Sequence, residues 1–179
     1  MKLLSGHAGR EPQIIDLFRS TFAASEGADE GRLIGDLVTE ILESQLPEEV
    51  GVFSALENEQ LVGCIIFTPL TYSQDPRSVR LLSPVAVRTD HHNAGVGQKL
   101  IRFGLETLQQ RRVDVVVTYG DPRFYSKVGF AQITEQVAKA PLELQHPQGW
   151  LAQSLTAKTV EPLIGPCECI EAFDKPALW

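Results

Sequence analysis

Apolar residues recur at helical spacing in three stretches of the chain. The first covers residues 11–24, and the second covers residues 30–44 and is followed by the helix breaker Pro47. The third begins at Gly97 and includes Gly104 among its apolar positions. Such spacing places apolar side chains on one face of a helix, so each stretch predicts an amphipathic helix. A glycine on the apolar face predicts a close approach of another backbone at Gly104.

Shorter apolar runs predict the strands of the fold. Residues 50–56 and 61–70 flank the turn sequence ENEQ and predict a hairpin. Residues 79–87 and 113–120 lie on either side of the third helix, which predicts that these two strands pair in parallel. Because proline has no amide hydrogen, Pro84 predicts an edge, a bulge or a break in pairing. Further short strands are predicted near Phe130, over 149–155 and over 167–173.

Length and composition indicate an ordinary globular protein. The chain has 179 residues, of which 43% are hydrophobic and 22% are charged, and this predicts a single domain over residues 1–179. We expect a cytoplasmic protein without membrane contact, because no apolar run reaches the length of a membrane span or a signal peptide. The three cysteines argue against a disulfide framework. Cys167 and Cys169 alone supply too few ligands for zinc, so no metal is expected.

The distribution of charge points to an anionic ligand. The net charge of the whole chain is −7, which disfavours nucleic-acid binding. Residues 85–130 nevertheless carry seven Lys/Arg against four Asp/Glu, a net charge of +3, which leaves −10 for the remainder. A basic segment in an acidic protein is typical of an anion site, although a solvated helix face gives similar numbers.

A glycine-containing turn leads into the third helix. The sequence VAVRTDHHNAGVGQKL passes from a strand through a polar turn to Gly95 and Gly97. The unpaired amides and positive dipole end of a helix bind phosphate, and glycine lets the ligand approach the backbone. A nucleotide P-loop needs Lys-Ser/Thr after its second glycine, and a dinucleotide fingerprint needs a third glycine where Leu100 stands. A tight turn without a ligand is the remaining alternative.

Two motifs in this region resemble those of the GCN5-related N-acetyltransferases (GNAT). The segment from His92 to Gly97 is similar to the family motif Gln/Arg-x-x-Gly-x-Gly/Ala, with a histidine in the first position. Residues 124–130, FYSKVGF, are similar to the family signature Tyr-x-x-x-Gly-Phe. The longer stretches LLSPVAVRTD and YGDPRFYSKVGF resemble a bacterial subgroup of predicted N-acetyltransferases.

The resemblance implies both a fold and a reaction. The fold is the α/β acyl-CoA N-acyltransferase fold, a mixed and mostly antiparallel sheet of six or seven strands flanked by about four helices. The reaction is direct transfer of the acetyl group of acetyl-coenzyme A (acetyl-CoA) to a primary amine of a small molecule or peptide. Two alternatives stay open: a non-catalytic acyl-CoA-binding sensor or interaction module, and a domain that binds NAD(H) or ATP. Dimerisation is common among such proteins, and the sequence does not decide it.

The resemblance also implies roles for individual residues. Backbone groups of Val85 and Val87 would bind the pantetheine arm, and the Val85 amide is the candidate oxyanion donor. Tyr125 is the candidate proton donor to the leaving thiolate, with Tyr119 as a competitor. Backbone amides over the turn would bind the pyrophosphate: His92, Asn93, Ala94, Gly95, Val96, Gly97 and Gln98.

No residue stands out as the base that deprotonates the amine. A carboxylate or histidine, directly or through water, would serve. Asp121 precedes Pro122 and equally predicts a helix N-cap. The candidates are Ser83, His91, Asp121 and Glu57. Arg88, Lys99 and Arg102 are candidates for added positive charge near the phosphates, and a solvated surface position is an equal alternative for each of the three.

Overall fold

A computed structural model describes residues 1–44 and 49–179. Pro47, predicted to end the second helix, lies outside the described residues. The α-helices are α1 (Glu11–Glu26), α2 (Ala28–Leu42), α3 (Val96–Gln110) and α4 (Pro122–Tyr125). The strands are β1 (Lys2–Ser5), β2 (Gly51–Glu57), β3 (Gln60–Tyr72), β4 (Val79–Val87), β5 (Val115–Tyr119), β6 (Ala131–Gln132), β7 (Trp150–Ser154) and β8 (Cys167–Cys169).

Helices α1 and α2 form an antiparallel pair around small residues. The buried face of α1 carries Ile14, Leu17 and Phe18, as the apolar spacing predicted. A Cβ on Gly31 of α2 would stand 2.6 Å from both the Ala23 Cβ and the Arg19 carbonyl oxygen of α1. Because only glycine fits there, the two helix backbones approach closely. The predicted helices over 11–24 and 30–44 are confirmed to within two residues at each end.

The described residues fall into two compact units, and the first consists of residues 1–67 and 84–104. In this unit β1 pairs antiparallel with β2, and β2 pairs antiparallel with β3. The Arg88 amide, just after β4, donates to the Val62 carbonyl of β3 at 2.9 Å. The predicted hairpin of β2 and β3 is therefore confirmed, and the end of β4 lies next to β3.

The second unit consists of residues 68–83 and 105–179. Its strands follow the order β4, β5, β7 and β6, and β8 pairs with the end of β3. The pairing of β4 with β5 is parallel, runs from Val79 to Leu82, and confirms the predicted parallel pair. The other pairings in this unit are antiparallel. The last register pair of β4 and β5 is Leu82 with Thr118, which agrees with a break in pairing near Pro84.

These observations confirm the predicted fold class. The sheet is mixed and mostly antiparallel, and four α-helices occur in the described part of the chain. Strand β1 is additional to the predicted strands, since its four residues are too few to show an alternating pattern. In the described ranges no helix is long and apolar enough to cross a membrane. A single domain over residues 1–179 stays a prediction.

Gly104 packs against side chains rather than against the backbone that the sequence predicted. A Cβ at this position would stand 2.7 Å from the ring of Phe67 and 3.3 Å from the Ile65 side chain. The prediction of close packing is therefore right, but its partner is wrong. The physical reason is that the large Phe67 ring fills the space over the glycine, and Phe67 itself is fully buried.

Replacing Gly104 with alanine is expected to lower the free energy of unfolding by about 1–2 kcal/mol. Overpacking against Phe67 costs about 1–3 kcal/mol, and the better helix propensity of alanine returns up to about 1 kcal/mol. Urea unfolding measures the difference, and Glu106→Ala on the exposed face of α3 serves as control with a change near zero. A Gly104→Ala protein at least as stable as the wild type would contradict this packing.

Candidate active site

The backbone N–H and C=O groups of Val85 and Val87 lie on the edge of β4 that faces away from β3. The Arg88 amide bonds to β3, and the Ala86 carbonyl oxygen lies 3.4 Å from the Cβ position of Gly63 in β3. Because the N–H and C=O of one residue point to the same edge of a strand and alternate from residue to residue, those of Val85 and Val87 point away from β3. They are thus placed to bond an extended chain laid along that edge.

The N-terminus of α3 presents three backbone amides. The first helical hydrogen bond runs from the Lys99 amide to the Gly95 carbonyl at 3.0 Å. The amides of Val96, Gly97 and Gln98 precede this bond and therefore have no acceptor within the helix. They also lie at the positive end of the helix dipole. This arrangement suits an anionic group.

The turn before α3 is shaped by two residues in the left-handed region. Asn93 has φ of 64° and Gly95 has φ of 74°, and asparagine and glycine are the residues that tolerate this conformation. No atom lies within 4 Å of the position that a Cβ on Gly95 would occupy. The backbone is therefore open to a ligand on that side. The open glycine and the free helical amides together fit a pyrophosphate group.

Gly63 of β3 allows the start of α3 to pack closely against the sheet. A Cβ on Gly63 of β3 would stand 2.9 Å from the Leu100 side chain and 3.1 Å from the Val96 side chain. Both of these α3 residues are buried. The first turns of α3 consequently lie directly on β3, which holds the amides of the helix N-terminus in a defined position.

His92 ties the turn to the end of β4. Its ring Nε2 lies 2.8 Å from the Val87 carbonyl oxygen. A carbonyl oxygen only accepts, so Nε2 carries the proton and donates. The Val87 carbonyl has a second lone pair and can accept one further hydrogen bond. The histidine that departs from the family motif thus anchors the turn through its side chain.

His91 lies between two carboxylates. Its Nδ1 is 2.7 Å from Asp90 Oδ1, and its Nε2 is 2.9 Å from Glu57 Oε2 at the end of β2. The hydrogen bonds from Asp90 and then Glu57 raise the pKa of His91 above its ordinary value. His91 therefore joins the turn to β2, and the two carboxylates that flank its ring favour the charged imidazolium.

The positive charge of Arg88 is compensated within the same turn. Its guanidinium donates to both Asp90 carboxylate oxygens, at 2.6 and 3.1 Å, and to Gln60 Oε1 at 3.2 Å. The Arg88 and His91 hydrogen bonds lower the pKa of Asp90 to about 2. Arg88 thus stabilises the turn, whereas the sequence left open whether it adds positive charge near the phosphates or lies on the solvated surface.

Tyr125 lies in the second unit, on the short helix α4. The Asp121 carboxylate caps this helix by accepting from the Arg123 amide at 2.9 Å, as the N-cap prediction stated. The Tyr125 ring packs on Gly120, where a Cβ would stand 2.7 Å from the ring, and on Phe130. Burial raises the pKa of Tyr125, and a hydrogen bond with the Thr118 side chain opposes this shift. A tyrosine with a raised pKa stays protonated at neutral pH.

Three of the four candidate bases are engaged by partners. Glu57 and His91 contact each other, and Asp121 combines its capping role with an ion pair to Arg123 at 2.9 Å. The Arg123 hydrogen bonds lower the pKa of Asp121, which weakens it as a proton acceptor. Ser83 is half-buried. The geometry therefore favours none of them as a direct base.

The turn and β4 residues that the sequence predicted come together in the first unit. The second unit holds Tyr125 and a residue that the sequence analysis missed, Thr118, whose fully buried hydroxyl donates to the Leu82 carbonyl at 2.8 Å. A polar residue inside the apolar strand VVVTY was the available signal.

Among the described residues, no three His, Cys, Asp or Glu side chains are grouped to hold a metal. Burial raises the pKa of the Cys167 thiol to about 11.

Comparison with known proteins gives relatives of one kind. A family model described as an acetyltransferase (GNAT) domain matches residues 48–132. The "uncharacterized N-acetyltransferase YjhQ" of Escherichia coli K12 is 30% identical over 148 residues, which cover 80% of this chain and 81% of that protein. The "uncharacterized N-acetyltransferase YhbS" of the same strain is 28% identical over 119 residues, 66% of each chain.

Solved structures share the fold. The GNAT family N-acetyltransferase YhbS from Escherichia coli, in complex with CoA, has a TM-score of 0.76 and 23% identity and covers 97% of this chain and 92% of that one. A GNAT family acetyltransferase from Brucella melitensis, in complex with acetyl-CoA, has a TM-score of 0.69 and 20% identity and covers 97% of both chains. The identity to YjhQ extends over most of both chains, and the fold agrees with it. The chain is therefore a member of the GNAT family of N-acetyltransferases.

Proposed function

We propose that this protein transfers the acetyl group of acetyl-CoA directly to a primary amine of a small molecule or peptide. The observation that carries the proposal is the open glycine turn at the N-terminus of α3. This turn directly follows β4, whose last residues have backbone groups that point away from β3. The structures of YhbS with CoA and of the Brucella melitensis protein with acetyl-CoA support the same ligand for this fold.

Each part of the coenzyme has a matching group in the first unit. The backbone N–H and C=O groups of Val85 and Val87 that point away from β3 would form hydrogen bonds with the amides of the pantetheine arm, as those of an added β-strand do. The helix dipole and the turn amides would balance the charge of the pyrophosphate. The sequence assigned this role to the amides of His92, Asn93, Ala94, Gly95, Val96, Gly97 and Gln98. In the structure the His92 amide donates to the Thr89 carbonyl at 3.2 Å and the Ala94 amide donates to the His91 carbonyl at 3.4 Å. We therefore propose the amides of Asn93, Gly95, Val96, Gly97 and Gln98 as the donors.

Two residues are proposed to act on the reacting atoms. Acetyl-CoA supplies an activated thioester, so the amine attacks it without a covalent enzyme intermediate. The Val85 amide donates to the carbonyl oxygen as negative charge develops on it. The Tyr125 hydroxyl gives its proton to the departing thiolate, and the proton that the acetylated nitrogen loses as the amide forms restores the hydroxyl. The raised pKa of Tyr125 suits this role because the hydroxyl is protonated at neutral pH.

The acceptor is proposed to be cationic in its resting form. Outside residues 85–130 the chain carries a net charge of −10, which favours a polyamine or a basic peptide end over an acidic acceptor. A cationic amine loses a proton before it attacks, and we propose that water takes this proton, since three of the four candidate side chains are paired. A homodimer and a cytoplasmic location stay predictions from the sequence.

A second candidate function is that of a non-catalytic acyl-CoA sensor. The engagement of Glu57, His91 and Asp121 by partners favours it, because a sensor needs no base. The two candidates differ in one observable: the enzyme releases free thiol from acetyl-CoA in the presence of an amine, and the sensor does not.

Thermal melting with and without ligand tests the proposed coenzyme. Acetyl-CoA at 100 times its Kd is expected to add about 2.7 kcal/mol, which is about 5–10 °C for a chain of this size. NADH and ATP at the same concentrations are expected to give smaller shifts. A larger shift with NADH or ATP, or none with acetyl-CoA, would overturn the proposal. A screen of amines for thiol release then separates the enzyme from the sensor.

A further inference from the structure

We propose that His91 is a positioning residue of the coenzyme-binding turn and makes acetyl-CoA binding tighter at low pH than at high pH. This inference rests on the proposed function, because it concerns the turn assigned to the pyrophosphate. It assigns no contact between His91 and the coenzyme. His91 acts through the position of the amides that follow it in the chain.

The contacts of the His91 ring require two protons. Nδ1 faces Asp90 Oδ1 at 2.7 Å and Nε2 faces Glu57 Oε2 at 2.9 Å. Ionised carboxylate oxygens only accept hydrogen bonds, so both ring nitrogens must donate. Only the imidazolium has two N–H groups. The geometry therefore belongs to the charged form of His91.

Of the two contacts, the one to Glu57 spans different elements. Asp90 is the neighbour of His91 in the turn and is also held there by Arg88. Glu57 is the last residue of β2, 34 residues away in the sequence. A neutral imidazole keeps one N–H and satisfies one carboxylate. If that one N–H stays with Asp90, the hydrogen bond to Glu57 is lost, and the turn is no longer linked to β2 through His91.

The charged groups around His91 make the direction of the pH effect definite. Glu57 faces the ring from β2, Asp90 from the turn itself, and Arg88 lies behind Asp90 with Gln60 of β3 on its other side. The two carboxylates raise the pKa of His91. The link is present below that pKa and is lost as the pH rises through it.

Loss of the link weakens coenzyme binding through the cost of ordering the turn. The amides proposed for the pyrophosphate begin at Asn93, two residues after the Thr89–His91 turn, and the His91 carbonyl accepts from the Ala94 amide at 3.4 Å. A turn that is already held pays less conformational entropy on binding than a loose one. His92 holds the turn to Val87 independently, and its Nε2 donates in the neutral ring as well. The pH effect is consequently a partial loss of affinity.

The test is the Kd of acetyl-CoA, which has no free thiol to titrate, by titration calorimetry from pH 7 to pH 9, above the range in which the ligand phosphate titrates. Wild-type affinity is expected to fall about three- to tenfold across this range. His91→Gln, which cannot be charged, is expected to bind at the weaker level throughout. Glu57→Gln is expected to flatten the curve in the same way. His146→Gln, an exposed histidine of the second unit, is the matched control and is expected to follow the wild type.

The outcomes separate this inference from the proposed function. Parallel curves for the wild type and His91→Gln, or wild-type affinity that rises with pH, would overturn the role of His91 alone. Absence of acetyl-CoA binding by the wild type at every pH would overturn the proposed coenzyme site itself, and this inference with it. The supporting result is that the curves of the wild type, His91→Gln and Glu57→Gln meet at high pH. At lower pH the wild type must then bind the ligand more tightly than the two variants.

Discussion

Replacement of Tyr125 by phenylalanine is expected to slow acetyl transfer by about 100-fold or more, the usual size of a lost general acid, without a change in CoA affinity. The variant removes one oxygen and keeps the ring that packs on Gly120 and Phe130. The loss should therefore fall on kcat rather than on folding or binding. Single-turnover thiol release with a saturating amine measures it, beside the Kd of CoA.

Tyr119→Phe is the matched control for this experiment. The Tyr119 hydroxyl accepts a hydrogen bond from the His146 amide at 2.7 Å, and its ring stacks on Trp179. This variant is expected to keep a rate near that of the wild type. A large loss in Tyr119→Phe with none in Tyr125→Phe would transfer the acid role to Tyr119.

The helices and most strands could be predicted from apolar spacing alone. Each of α1, α2 and α3 has a buried stripe long enough for the helical period to be visible, and β2 to β5 have long apolar runs. Strand β1 was missed because its four residues become a strand only by pairing with β2. The predicted packing partner of Gly104 was wrong because apolar spacing indicates that a position is closely packed but does not identify the group that packs there.

The candidate site shows the same division between local and long-range information. The turn and the helix N-terminus lie within one short segment, so residue types and order were enough to find them. The Glu57–His91 contact joins residues 34 apart in the chain, and the Thr118 hydroxyl meets the Leu82 carbonyl 36 residues away. Such contacts depend on the register of the sheet, which a sequence motif does not contain.

The compensation of Arg88 by Asp90 changes the electrostatic picture drawn from the sequence. The sequence left open whether Arg88 adds charge near the phosphates or lies on the surface. The structure groups it with Asp90, His91 and Glu57 in a cluster in which the charges balance. With Arg88 paired, the proposed anion site depends chiefly on the backbone amides of the turn and on the helix dipole of α3. Changes to the backbone of the turn should accordingly have larger effects than removal of single basic residues.

Gly95→Val is expected to weaken CoA binding by at least about 100-fold, because the pyrophosphate would lose about two charge-assisted hydrogen bonds to the turn. The space over Gly95 is open to 4 Å, and a valine side chain would occupy it. Its φ of 74° also disfavours any β-branched residue, so the variant is expected to lose about 1–2 kcal/mol of stability.

Gly9→Val separates the strain from the loss of the ligand space. Gly9 has φ of 78° and equally open surroundings, but it lies in the segment between β1 and α1, outside the turn. The two variants should therefore lose similar stability, measured by urea unfolding, while only Gly95→Val loses affinity in calorimetry. If both variants bound CoA as tightly as the wild type, the pyrophosphate could not lie over Gly95, and the glycine turn would have only a structural role. If both lost affinity equally, strain alone would explain the loss, and the ligand would have to be placed elsewhere on the chain.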